Sequence, residues 1–398
     1  MSSTYKCERC NSINVDKLAS NQSCQVCNHP FNSAIFAENG AHKFSNQVSK
    51  QHGLVQSSPP VPTMQQELTL TNFYQKKGQF ILGFNNAKFI EIWEHEIVQH
   101  WFDKPAMKYC LLSNAAILYA NQLNSKNTGN FSSSVESEQY YKMGHNYFSK
   151  SLHLQHELAE SITKSIDPDI EQLRDLLKCC FIQFVCLMIN NQSMLPLISF
   201  ENEKIDIVSF MKFYRNVRQR YIPMIPNTRL PQYFMNTAPL GTFPDESCHL
   251  SDSMLQDLEN FALSDDSMRA ELQDVIELFR VSLVSSMKFK CPYPIFSNIL
   301  HFSDKFRDYL YEQNVFSLRL LFVFSALCVL SPFPLSRLNN IYVAYMTWFK
   351  VRSFAQLGKF RFQTDEKLYF LVMNTDYTLD YDSLDTFDPI SVAMSYEQ

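Results

Sequence analysis

Residues 169–189 read DIEQLRDLLKCCFIQFVCLMI, and their spacing decides what kind of protein this is. Ile170, Leu173, Leu177, Cys180, Phe184 and Met188 recur at three- and four-residue steps, which places them on one stripe of an α-helix. A strand would alternate at every second residue instead. Asp167-Pro168 just ahead suits a helix start, because proline's fixed φ fits the first turn. The same helical period runs through residues 106–123 (AMKYCLLSNAAILYANQL), 137–162 (SEQYYKMGHNYFSKSLHLQHELAESI) and 268–287 (MRAELQDVIELFRVSLVSSM), with another helix from Met254 through Leu258. No internal repeat of fixed length is present, so the expectation is a mainly α protein with one large helical domain over 70–358.

The most apolar stretch is VFSLRLLFVFSALCVLSPFPL, residues 315–335. After Arg319 it offers only about eleven residues before Ser331-Pro332, short of the roughly 20 that a bilayer span requires. It reads as a helix buried on every side in a large core, and no membrane span is expected.

Residues 1–31 are a separate problem. Cys7, Cys10, Cys24 and Cys27 form two Cys-x-x-Cys pairs with thirteen residues between them. Two intervening residues let both sulfurs of a pair turn toward one ion, and two such pairs complete a tetrahedral zinc site. The polar segment between them has no core of its own, so metal binding would supply the folding energy. With eleven cysteines and no signal-peptide pattern, a reducing compartment is expected and disulfides are not. His29 reads as a surface residue after the last pair. Lys6, Arg9, Lys17, Lys43 and Lys50 stand against Glu8, Asp16 and Glu38 in residues 1–50, a near-neutral balance. Phosphate contacts need Lys and Arg, so charge leaves DNA contact, protein contact and a purely structural role all open.

Residues 32–69 are polar, aperiodic and carry a Ser-Pro run, and they read as a flexible linker. At the other end, KFRFQTDEKLYFLVM (359–373) alternates Phe360 and Phe362 before a polar turn and an apolar run, which predicts a short β-hairpin over 359–375. Residues 376–398 contain no Lys or Arg and interleave Asp376, Asp380, Asp382, Asp385 and Asp388 with Tyr377, Leu379, Tyr381, Leu384 and Phe387. Acidic-hydrophobic alternation suits an activation segment that offers aromatics to a coactivator groove, and equally a solvated tail.

Enzymatic chemistry finds little to stand on. The net charge is −5 and there are only 8 glycines, with neither a GxGxxG nor a GxxxxGK[ST] phosphate loop. His95, His100, His153, His156 and His301 are scattered among helical segments without a nucleophile motif. His153, His156 and Glu157 share a helix face, but HExxH spacing is absent, so a solvated polar face is the reading. Cys179, Cys180 and Cys186 lie in an apolar helix, where cysteine behaves as a small hydrophobe. The abundance of Phe, with 33 residues, suits ordinary core packing or an enclosed apolar ligand pocket.

Residues 91–123 (EIWEHEIVQHWFDKPAMKYCLLSNAAILYANQL), 138–158, 176–188 and 296–335 together resemble the regulatory domain of fungal zinc-cluster transcription factors, especially the sterol uptake control branch. Trp93, Pro105, Asn114-Ala115-Ala116, Tyr140-Tyr141 and Leu176-Leu177 carry the resemblance, which covers about residues 70–355. It implies a nuclear regulator of RNA polymerase II genes whose helical domain senses an apolar ligand such as a sterol. It also implies the transcription machinery or coactivators as partners, and homodimers. The family's finger has six cysteines holding two metals. Here Lys17 stands where the third cysteine would fall, Ala34 lies near the sixth, and NSINVDK replaces the basic run. None of the family's DNA-reading residues carries over. The sequence therefore leaves a zinc-containing transcription regulator in first place and a non-DNA-binding adaptor or ligand sensor second. An initiation factor of the IIB type is third, although two similar helical repeats of about 90 residues are not found. No catalytic residue is assigned.

Overall fold

The computed structural model describes two short strands, 4–6 and 13–15, and most of the chain from 63 to 374, with short breaks and the longer interval 226–247 left aside. β1 (Thr4–Lys6) and β2 (Ile13–Val15) pair antiparallel, with Tyr5 opposite Asn14. The rest of the described chain is helical apart from its connections.

α1 (Met64–Phe73) starts inside the stretch read as linker. Its start is fixed by a capping box. Thr63 Oγ1 accepts from the Gln66 N–H at 3.3 Å, while Gln66 Oε1 accepts from the Thr63 N–H at 2.9 Å. A π-type turn over Tyr74–Gly78 leads into α2 (Gln79–Gly83), followed by α3 (Ala87–Ile92) and a second π-type turn, Trp93–Val98.

α4 (Pro105–Lys126) and α5 (Phe131–Lys164) are the longest pairing. Ser113 Oγ donates to the Gly144 carbonyl at 2.8 Å and Ser137 Oγ to the Ala120 carbonyl at 3.1 Å. Contacts that climb one helix descend the other, so the two run antiparallel. Gly144 permits the close approach, since a Cβ there would sit 2.9 Å from Ile117 Cγ1.

α6 (Ile170–Met188) packs on both and on α7 (Ile207–Tyr221). Its N-cap is Asp169, whose carboxylate accepts from the Glu171 N–H at 3.1 Å, two residues beyond the Asp167 expected to open it. From Leu173 to Met188 the stripe inferred from spacing is the inward face, while Ile170 is exposed, and burial extends round to Leu176, Cys179, Phe181 and Val185, so α6 is a central helix. α8 (His249–Glu259), α9 (Asp266–Phe289), α10 (Tyr293–His301) and α11 (Asp304–Tyr311) form a second group.

α12 (Val315–Leu330) is buried at every position from Phe316 to Leu330, as its unbroken apolarity predicts. Among the described residues no single helix is long and apolar enough to cross a membrane; α11 and α12 would suffice only as a pair, and they meet at 105°. α13 (Ile341–Leu357) packs along α12 and ends at Gly358, whose φ of +72° is the left-handed conformation glycine adopts without a Cβ clash. One connected apolar core runs from Leu70 to Val372. Much of the phenylalanine content lies in it: Phe302 meets Phe279, Phe306 and Phe324, and Phe296 stacks on Phe333 with centroids 4.2 Å apart.

The expected β-hairpin over 359–375 is not formed. Residues Gln363–Asn374 are a helix, α14, which buries Thr364, Asp365, Leu368, Tyr369 and Val372 on one face. That is a 3.6-residue period, and an aspartate at its head disguised it. The cause is tertiary: a carboxylate inside α14 meets an arginine inside α12.

Candidate functional site

The four cysteines proposed as zinc ligands, Cys7, Cys10, Cys24 and Cys27, lie outside the described residues, as do the linker over 32–62 and the acidic tail 376–398. The described strands flank the first pair in sequence: β1 ends at Lys6 and β2 begins at Ile13. Cys7 and Cys10 thus fall between the two paired strands in sequence, and a spacing of two residues suits two thiolates on one ion. The donor set fits zinc.

In the helical domain the other residues weighed from sequence resolve plainly. His153 Nε2 lies 3.3 Å from Glu157 and His156 Nε2 3.0 Å from Glu160, so each histidine pairs along its own helix with the carboxylate four residues on. His153 and Glu157 are exposed. Among the described residues no group of three metal-ligating side chains comes together. Cys179, Cys180 and Cys186 are buried free thiols. Burial pushes the Cys180 and Cys186 thiols up, and Gln155 Nε2 donates to the Cys180 sulfur at 2.9 Å. Nucleophilic thiolates need the reverse environment.

Sequence reasoning missed a charged cluster at the junction of α12, α13 and α14. Arg319 is 0% exposed, and its Nε donates to Asp365 Oδ1 at 2.7 Å while its Nη2 donates to Asp257 Oδ2. The guanidinium carbon stands 3.8 Å from the centroid of Phe362 and 5.1 Å from that of Phe316. Burial pushes the Asp365 carboxyl up to about 6, against the lowering effect of Arg319. The remaining guanidinium nitrogen, Nη1, is buried with no hydrogen-bond partner among the described residues.

Arg319 lines a cleft of ≈ 80 Å³ together with Arg352, Arg361 and Asp365. Arg352 Nη1 donates to Gln313 Oε1 at 2.6 Å and its guanidinium lies 5.6 Å from the Trp348 ring, both neutral partners. Gln313 holds it from an unusual backbone, with φ +58° in the turn between α11 and α12. Arg361 stacks at 5.1 Å on Phe261. Val315, Leu318, Phe349 and Leu357 supply the apolar part of the wall. One signal could have found this cluster: a lone arginine in a run as apolar as 315–330 must be buried, and a buried arginine needs hydrogen-bonding partners from elsewhere.

A second buried arginine shows a different solution. Arg307 donates to the carbonyls of Val208, Ile299 and Phe302, tying α7, α10 and α11 together, and burial lowers its pKa to about 10. Each of its three nitrogens donates to a backbone carbonyl, so its part is to hold helices together. No family model, no curated protein and no solved structure matches this chain.

Proposed function

We propose that this chain is a zinc-containing regulator of transcription, in which a four-cysteine module at residues 1–31 is attached to a large helical regulatory domain. The observation that carries the reading is the amino-terminal arrangement. Two Cys-x-x-Cys pairs are separated by thirteen residues, and an antiparallel hairpin brackets the first of them. Cys7, Cys10, Cys24 and Cys27 would hold one zinc ion, whose role there is to supply folding energy. The helical domain and the acidic tail agree in kind with an effector module and a coactivator contact. Sensing of an apolar ligand such as a sterol, and a nuclear location, follow from the family resemblance and stand with it.

The near-neutral charge of residues 1–50 favours a second reading, in which the module contacts protein and the chain is an adaptor. Selection of the purified full-length chain against a random duplex library separates the two. A motif enriched by the native chain and lost in a Cys7→Ser/Cys24→Ser variant supports a DNA reader. Enrichment by neither, in a chain that carries one zinc, supports the adaptor. Absence of bound zinc sinks both.

A further inference from the structure

We propose that the cleft at the junction of α12, α13 and α14 is a binding site for a single small oxyanion group, a carboxylate or a phosphoryl group, held by Arg319, Arg352 and Arg361. Three guanidinium groups line it against one carboxylate, that of Asp365, with Asp257 on the far side of Arg319. The local charge is therefore positive even with both aspartates ionised. Among the described residues Arg352 and Arg361 meet a neutral amide and aromatic rings and no carboxylate, so no described partner cancels their charge.

Arg319 supplies the stronger indication. Its two carboxylate partners occupy Nε and Nη2, which leaves Nη1 as a buried donor in a residue that lines the cleft. An unmet buried donor on a cation costs about 1–3 kcal/mol or more, and an oxyanion would satisfy it with a charge-assisted bond. Ser353 and Gln356 stand in the same wall and add neutral donors.

Charge sets the class of ligand, and a volume of ≈ 80 Å³, room for several water molecules, admits one carboxylate, phosphoryl or sulfuryl group. The group has two sources. One is a free small anion. The other is the chain itself, because five aspartates between Asp376 and Asp388 follow α14 directly.

The test is calorimetric titration of the full-length chain with inorganic phosphate and, separately, with acetate. Saturable binding of either is expected, weakened about tenfold or more in an Arg352→Gln/Arg361→Gln variant. Both residues lie toward the surface, and unchanged circular dichroism of the variant will establish that it folds. A second variant carries Asp376→Asn, Asp380→Asn, Asp382→Asn, Asp385→Asn and Asp388→Asn. Tighter binding of the probe to it identifies the tail's carboxylates as the competing occupant, and unchanged binding identifies a free anion. Two results overturn the proposal: no saturable binding to either the native chain or the tail variant, or binding that Arg352→Gln/Arg361→Gln leaves intact.

Discussion

Arg319 on α12 and Asp365 on α14 form a buried ion pair with Nε and Oδ1 2.7 Å apart, and neither residue is more than 1% exposed. The two lie 46 positions apart in sequence; Arg319 sits in an apolar run that argues against charge, and Asp365 in a polar one that argues against burial. Asp257 of α8 takes a second donor of the same guanidinium, so three helices converge on one cation. Desolvating such a group is recovered only when its partners are well placed, and removal of one partner leaves a buried charge uncompensated.

Arg319→Met is therefore expected to destabilise the helical domain by about 3–5 kcal/mol, since it strands Asp365 without a cation. Urea unfolding followed at 222 nm measures it. Pairing Arg319→Met with Asp365→Leu should recover most of the loss, because a matched apolar pair is often neutral. A single substitution that costs less than about 1 kcal/mol would mean the pair contributes only as a surface bridge does.

The same pair gives a pH dependence with a definite sign. Asp365 titrates at about 6 in the fold against 3.8 for the free side chain, so between those values the native state holds the extra proton. Its contribution to stability is fully present below about pH 4 and is lost as pH rises through 6. At 1.36 kcal/mol per unit, the difference amounts to about 3 kcal/mol. Unfolding free energies of the native chain and Asp365→Asn, compared from pH 4 to 6.5, should diverge by that order across the window. Parallel curves would show that the fold leaves the Asp365 carboxyl at the free side chain's value.

How much of this was legible in the sequence differs by element. α6 and α12 were readable because each is governed by its own residues: a stripe at helical spacing in one, unbroken apolarity in the other. α14 was not. The alternating Phe360 and Phe362 precede it, and Asp365 looked like a turn residue until Arg319 gave it a reason to be inside. The Arg319 cluster was missed for the same cause, since it is assembled from α8, α12, α13 and α14, and no local window contains it. Thr63 and Gln66 did spell a capping box, and the Ser-Pro run beside them obscured it.

Gly144 offers a test of the α4–α5 contact. Alanine is the better helix former by about 1 kcal/mol, so on propensity alone Gly144→Ala would stabilise. Its Cβ, however, would lie 2.9 Å from Ile117 Cγ1 and 3.4 Å from the Ser113 carbonyl oxygen. Ile117 is fully buried and has no room to yield, and overpacking of this kind costs about 1–3 kcal/mol. A net loss of about 1 kcal/mol is expected for Gly144→Ala and a larger one for Gly144→Val, read as a fall in thermal midpoint. A rise for Gly144→Ala would show that the helices have slack at this point.

Thiol labelling tests the burial of the helical core and the metal module in one measurement. Of the described cysteines, only Cys248 is not fully buried; Cys110, Cys179, Cys180, Cys186, Cys291 and Cys328 are enclosed. Burial raises the Cys180, Cys186, Cys291 and Cys328 thiols, which keeps them protonated and slow to react. Maleimide treatment of the native chain followed by peptide mass mapping should mark Cys248 first within residues 63–374. After treatment with a zinc chelator, Cys7, Cys10, Cys24 and Cys27 should become labelled as well, because thiolates released from a metal are exposed nucleophiles. The helical signal at 222 nm should hardly change, as the described helices bring no three metal-ligating side chains together. Equal labelling of the amino-terminal cysteines with and without chelator would remove zinc from this protein, and loss of helicity on chelation would place a metal inside the helical domain.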